Sequence, residues 1–418
     1  MRVIKRRDFI KTVFLSGAIL LSGKTPQAIE PGNYVLPEPK SMNVLVANNI
    51  DKANNPLIQA FTIDFYKKKV REIWRAKGIE QGFRNIADCP VIADIDGDGI
   101  NELLAGDRHR LLLWKPPQQS PLAVAELEYR GDVFTTVSVG DANQDGRKEI
   151  FVGTKNKLHL FQYNGGKLIR IGQPLEQPLV SRINNIRIGD ADNDGTLEIL
   201  VGGRNDPPGK EDYILPNQKI IHIFTMSGNN DLKKKAEIIS PVHVNCSIRI
   251  ADANNDGENE VVISGTDTSD GNSPPLAGVF VFKYNRRKDI YEKIAEHVKL
   301  GKQPEAMNVG DVDNDGLAEI VVANSANFLK LPGAPPKAYV LKFERGNLEI
   351  NWEAETRAPS HFEGIAIGDV DNDGKNEFTV QGKVVYKYNP KTKAYNSMRT
   401  PVEKMLSSYA AIGNLNLK

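Results

Sequence analysis

Six short stretches of this chain gather anions at a spacing that suits a hard cation. The first, ADIDGDGINE, sets Asp94, Asp96, Asp98 and Glu102 within nine positions. Like charges this close repel even at high dielectric, so a positive partner is required to hold them together. The pattern D-x-[DN]-x-D-G-x-x-E returns as GDANQDGRKE, GDADNDGTLE, ADANNDGENE, GDVDNDGLAE and GDVDNDGKNE. Calcium takes six to eight oxygens at about 2.3–2.6 Å and tolerates irregular geometry. Alternate residues of a tight turn point to one side, so oxygens at the first, third and fifth positions converge, and the glycine permits the reversal. The ninth residue closes the site with a carboxylate.

The expected ligands are therefore Asp94, Asp96, Asp98 and Glu102; Asp141, Asn143, Asp145 and Glu149; Asp190, Asp192, Asp194 and Glu198; Asp252, Asn254, Asp256 and Glu260; Asp311, Asp313, Asp315 and Glu319; and Asp369, Asp371, Asp373 and Glu377. The seventh position of each loop adds a carbonyl, from Ile100, Arg147, Thr196, Glu258, Leu317 and Lys375. This makes about six calcium sites. Magnesium would demand a stricter octahedron, and zinc or iron would favour the histidine and cysteine that the loops lack. The ninth residue already begins a strand, which separates these loops from helix-flanked calcium loops whose last ligand is the twelfth. Their bland role is structural: emptied of cation, such loops repel and loosen the hairpins they close.

The elements that position these loops are strands. Lead-in segments such as TTVSVGD, NNIRIGD and EGIAIGD, and lead-out segments such as EIFVG, EILVGG and EIVVAN, alternate with period two. Each unit then supplies two further apolar runs joined by turn signals, as in KLHLFQYNGGKLIRIG. Four strands per unit at intervals of 47 to 62 residues give the period of a propeller blade. The C-terminal YAAIGNLNLK reads as a first strand with a decayed loop, while NVLVANN, LIQAFTIDFY and VREIWRAK near the other end read as the three strands it lacks. The predicted fold is an all-β, seven-bladed β-propeller of four-stranded antiparallel blades, closed by N- and C-terminal strands sharing one blade. Trp74 and Trp352, at matching places on outer strands, read as packing residues.

The opening MRVIKRRDFIKTVFLSGAILLSGKTPQA has a charged start, an apolar run from Val13 to Leu21 and a polar end, the layout of an export signal. Arg6-Arg7 followed by Asp8-Phe9-Ile10-Lys11 resembles a twin-arginine signal. The domain reading is thus residues 1–28 as export signal and 29–418 as a single propeller domain, periplasmic or secreted, with no stable membrane span after processing. The net charge of +1 is carried by that leader, and no basic stripe follows, which argues against nucleic acid as partner. Cys89 and Cys246 are too few for a disulfide framework and fall about three blades apart.

Strand direction alternates, so the second-to-third and fourth-to-first connections share the face opposite the acidic loops. Three of the former are long, Gly203 to Asn217, Ser264 to Ala277 and Ala323 to Pro336, and loops on a rigid scaffold often carry binding. Candidate ligand residues on that face are Arg84, Arg182, Tyr213, His243, Phe328, His361, Phe362 and Tyr409, with Asp88, Phe134, Asn184, Glu305 and Glu363 beside them. Polar groups mixed with aromatics suit an extracellular or envelope protein or a glycan. For any single residue a solvated rim or turn position is the commoner role.

The acidic loops and strand pattern resemble the FG-GAP or VCBS-type repeats of integrin-like β-propellers, over nearly all of the chain beyond the leader. The FG and GAP dipeptides themselves are mostly replaced, as by FVGT and LVGG. The resemblance implies a calcium in each intact loop, on one face of a ring. It also implies an alternative to a pure binding module, because some such propellers are polysaccharide lyases. No G-x-S-x-G, H-E-x-x-H, phosphate-loop or C-x-x-C motif is present. The sequence thus favours an exported, calcium-stabilised interaction module over an enzyme.

Overall fold

A computed structural model describes residues 41–50, 56–79, 90–107, 109–127, 133–155, 157–175, 182–204, 219–242, 247–267, 276–300, 304–324, 336–356, 364–402 and 410–417. The described residues form twenty-eight strands in seven four-stranded antiparallel sheets.

One sheet joins the first and last described strands: β1 (Ser41–Ile50), β2 (Pro56–Asp64) and β3 (Lys69–Arg75) pair in that order, and the last described strand pairs with β1 on the inner side. The next blades are β4 (Val91–Ala93), β5 (Glu102–Asp107), β6 (Arg110–Trp114) and β7 (Ala123–Glu126), then β8 (Thr136–Gly140), β9 (Glu149–Gly153), β10 (Leu158–Asn164) and β11 (Lys167–Arg170). They are followed by β12 (Arg182–Gly189), β13 (Glu198–Arg204), β14 (Ile220–Met226) and β15 (Leu232–Ile239), and by β16 (Ser247–Ala251), β17 (Glu260–Asp267), β18 (Leu276–Asn285) and β19 (Ile290–Val298). The last two whole blades are β20 (Pro304–Gly310), β21 (Glu319–Asn324), β22 (Lys337–Glu344) and β23 (Asn347–Glu355), and β24 (Ile365–Gly368), β25 (Glu377–Val380), β26 (Val384–Asn389) and β27 (Ala394–Arg399). Strand β28 (Ala410–Asn416) completes the first-named sheet by pairing with β1 from Ser41↔Asn416 to Ala47↔Ala410.

The first strands of successive blades touch in cyclic order, β4 to β8, β12, β16, β20, β24, β28 and back to β4. This closes the ring that the sequence predicts, with seven blades and the termini sharing one. Closure gives β1 and β28 each other's backbone groups, which as open edges would template unwanted pairing.

The residue before each acidic loop explains how the inner strands come so close. A Cβ added at Gly140 would lie 2.9 Å from Ile188 of the next blade, and one at Gly413 would lie 3.1 Å from Ile92. These glycines leave room for the branched residue of the following blade; Ala93 and Ala251 take the same place in two blades. The core lies between sheets: Leu45, Phe61, Trp114, Phe151, Phe280 and Phe378 are fully buried or within 1% of it. Trp74 and Trp352 do pack on outer strands. Trp74 is 4% exposed, and Trp352 meets Phe378, Tyr386 and Tyr395 with ring centroids 4.8–6.1 Å away.

Candidate cation sites on the acidic-loop face

Each acidic loop links the first and second strands of its blade, so all six sit at equivalent places on one face of the ring. Their internal wiring repeats. Both oxygens of the first aspartate cap the turn: Asp190 accepts from the N–H of Asp194 at 3.0 Å and of Gly195 at 3.1 Å, and Asp311 from Asp315 at 3.1 Å and Gly316 at 2.9 Å. The third-position side chain accepts from the fifth N–H, and the fifth aspartate from the seventh N–H, as in Asp194 with Thr196 at 2.7 Å. The glutamate, buried where the second strand starts, accepts from the second N–H through Oε2: Ala142 to Glu149 at 2.9 Å and Val370 to Glu377 at 3.0 Å. Backbone donors thus consume one oxygen of the fifth and ninth residues, and of the third in every loop but that of Asp371, and leave the other facing inward. The sixth-position glycines run at φ of +84° to +92°, which the missing Cβ allows.

A lysine occupies the place where those second oxygens meet. Lys387 Nζ lies 2.6 Å from Asp371, 2.8 Å from Asp373 and 2.8 Å from Glu377. Lys342 lies 2.7 Å from Asp313, 2.9 Å from Asp315 and 3.3 Å from Glu319, and Lys115 lies 2.6, 2.6 and 2.9 Å from Asp96, Asp98 and Glu102. Lys283 pairs with Asp256, with Glu258 at 3.0 Å and with Glu260 at 3.4 Å. These four lysines stand on or just past the third strand, directly across from the loop glutamate, because Phe378 pairs Tyr386, Ile320 pairs Leu341, Leu103 pairs Trp114 and Val261 pairs Phe282. In the β12–β15 blade that place holds Thr225, and the cation comes from β15. A bulge there skips Lys235 between the pairs Ile223↔Ala236 and Phe224↔Lys234, re-aiming its side chain to within 2.5 Å of Asp192 and 2.9 Å of Glu198. In the β8–β11 blade the place holds Gln162, whose amide donates to Glu149 Oε1 at 2.9 Å.

These lysines were not among the residues singled out from sequence. Their signal was present as the repeated ending of the third strand, LLLWK, VFVFK, YVLK and VVYK.

The electrostatics follow from burial. Removal from water pushes Glu319 and Glu377 up to about 7 despite Lys342 and Lys387 beside them, and raises Glu102, Glu149, Glu198 and Glu260 in the same sense. The more exposed aspartates go the other way. The Lys115 ammonium holds Asp98 low, and the Thr196 N–H does so for Asp194. Every one of the five lysines is held firmly protonated by its carboxylates, against the cost of its own burial.

The donor sets suit a hard divalent cation. In four loops, three carboxylates bring a ligand oxygen within 4.8 Å of one another: Asp94, Asp96 and Glu102; Asp190, Asp192 and Asp194; Asp311, Asp313 and Asp315; and Asp369, Asp371 and Glu377. Buried oxygens there also lack an aligned hydrogen bond, namely Glu102 Oε1, Glu319 Oε1 and Asp371 Oδ1. The two glutamate oxygens are approached by lysine as ion pairs only. Clusters able to bind metal ions are therefore present, and in each the lysine shares the oxygens a metal would use.

Adjacent loops are also latched together by the fourth-position residue, held at φ of +57° to +62° in five loops. The Asn314 amide donates to the Asn376 carbonyl at 3.1 Å and accepts from the Asn376 N–H at 2.7 Å, pairing with backbone of the next blade as a strand would. Asn193 with Asn259, Asn255 with Ala318, and Asn372 with Asn43 repeat it, the last across the ring closure. Gln144 makes one such bond, to the Gly195 carbonyl at 2.8 Å.

Residues 141–201, which contain two complete acidic loops, match the model of the FG-GAP-like repeat family. Those residues thus resemble an FG-GAP-like repeat, set within a seven-bladed β-propeller. A crystal structure of a protein from Lactobacillus plantarum superposes on the propeller with a TM-score of 0.55, covering 88% of this chain and 99% of that one at 12% identity, a likeness of fold alone. No curated protein sequence matches the chain.

On the opposite face, Arg182 opens β12 across from Arg204, Asn184 is 9% exposed, and Phe134 is fully buried in the core beside Trp114 rather than displayed. Glu305 lies within β20. Arg84, Asp88, Tyr213, His243, Phe328, His361, Phe362, Glu363 and Tyr409 lie outside the described residues, as do Cys89, Cys246, the leader and most of the three long connections. Among the described residues no helix is long and apolar enough to cross a membrane.

Proposed function

We propose that this propeller is an exported interaction module whose six acidic loops take calcium and whose opposite face receives an envelope or extracellular protein or glycan. The observation that carries the reading is the repeated loop: an oxygen-only donor set, pre-wired by backbone N–H groups, at the same place in six of seven blades. Asp94, Asp190, Asp311 and Asp369 with their third-, fifth- and ninth-position partners would hold the ions, while Asn143 and Asn254 give their loops a lower ligand charge. When bound, calcium would supply charge neutralisation and cross-link the loop, with no part in bond chemistry. To engage, it must displace the lysine, which stays tethered nearby as a weaker substitute.

The leader, with Arg6-Arg7 ahead of an apolar run, supports export of a folded chain, and a rigid ring with long connections on one face supports binding there. The test is calorimetric titration of the chelator-treated protein with calcium and with magnesium, then capture of envelope proteins and a glycan array on the loaded form. Calcium uptake at several sites, with selective retention of a protein or glycan, is the expected result. No calcium uptake defeats the metal reading. Turnover of a bound polysaccharide defeats the pure binding module.

A further inference from the structure

Among the six acidic loops one lacks the fourth-position latch, and a cavity lies beside it. Between the Asp94 loop and the Asp141 loop the fourth position is Gly97, which has no amide to reach the neighbouring blade. A cleft of about 280 Å³ lies at this junction, lined on one side by Asp94, Asp96 and Gly97 and on the other by Arg147, Lys148 and Tyr163. Its volume falls just below the range for drug-sized ligands, roughly 300–1,000 Å³, which limits it to a small occupant.

We infer that this cleft is a binding site for a single sugar ring of a glycan, separate from the long-connection face. One wall is made of carboxylates, which only accept hydrogen bonds, and the other of a guanidinium and an ammonium, which only donate. A sugar ring carries several hydroxyls, each able to donate and accept, so one ring reaches both walls at once; a Lys-Asp dipeptide, which brings one charge to each wall, is the competing occupant. Tyr163, half-buried at the end of β10, offers an aromatic surface for the apolar face of the ring. Arg147 is exposed and Lys148 partly so, leaving their donors accessible. The acceptor wall is held in place by backbone, because Asp94 is fixed by the N–H groups of Gly97 at 2.8 Å and Gly99 at 3.1 Å, and Asp96 by the N–H of Asp98 at 3.2 Å.

The break also supplies a clean test. A Cβ at Gly97 meets nothing within 4 Å, and at its φ of +77° asparagine carries less backbone strain than most other side chains, so Gly97→Asn installs the missing latch with no steric clash. Saturation-transfer NMR is run on the intact protein with methyl glycosides of glucose, galactose, mannose and glucuronic acid, and with the dipeptide Lys-Asp. Saturation of at least one glycoside is expected, weakened tenfold or more in Gly97→Asn and in Tyr163→Ala, while Gly97→Asn melts at or above the wild-type temperature. Three outcomes overturn the proposal: no transfer to any glycoside, transfer unchanged in a folded Gly97→Asn, or transfer to the dipeptide alone.

Discussion

The ammonium of Lys387 touches the carboxylates of Asp371, Asp373 and Glu377, of which Asp371 and Glu377 bring oxygens within 4.8 Å of each other and hold oxygens hidden from water. Replacing it by an uncharged side chain of similar length leaves Glu377 buried with no cation. Lys387→Met is therefore expected to lose about 1–3 kcal/mol of stability in chelator, less than a fully buried pair because the lysine is partly solvated. Denaturant melts measure this loss, and calcium should restore most of it. The pH dependence follows from the same groups. Glu319 and Glu377 sit at about 7 in the folded chain against an ordinary 4.5, so the folded state holds their protons more tightly than the unfolded one. Their contribution is then full below 4.5 and declines as pH rises towards 7. Asp98 and Asp194, depressed below 3.8, contribute stability that is present above that value and lost as pH falls through their folded pKa. The chelated protein should accordingly melt highest on the acid side of neutrality and lower at pH 7.5, a trend that melts from pH 4.5 to 8 will show or refute. Saturating calcium, which binds the ionised form, should flatten it.

At the scale of elements, the latch and the inner-strand contact explain why neighbouring blades keep register. Asn314 makes two hydrogen bonds to the backbone of the next loop, and each is worth about 0.5–1.5 kcal/mol net. Asn314→Ala, which also places alanine at positive φ, should therefore destabilise by about 1–3 kcal/mol. Amide exchange at Asn376 should accelerate more than at Asn259, whose own latch is intact. Equal protection at both positions would show that the latch carries no load. Much of this level was legible beforehand: period-two runs named the strands, the glycine-flanked carboxylates named the loops, and the mismatched ends named the shared blade. The lysines and latches were harder to see. A lysine at the end of an apolar strand looks like an ordinary solvated terminus until register sets it opposite a buried glutamate. Lys235 reaches its loop only through a bulge, and an asparagine inside an acidic motif passes for a ligand.

At the scale of the molecule, closure turns seven marginal sheets into one structure. Each blade buries its faces against two neighbours, and the pairing of β28 with β1 gives each of these two strands a partner it would otherwise lack. The acidic loops ride on that ring, so a cation that tightens one loop also stiffens its link to the next through the asparagine latch. The ring itself was readable from repeat length and from complementary ends, but not the Gly97 cleft, because a missing latch has no meaning until the others are seen. Cation neutralisation of these loops is the central claim, and the thermal melt of the intact protein in excess chelator, compared with millimolar calcium, tests it most directly. A ligand held only by the folded state stabilises it by about 2.7 kcal/mol per site at a hundredfold excess over its dissociation constant. Several filled loops should therefore move the midpoint upward by many degrees, whereas superimposable curves would contradict the account.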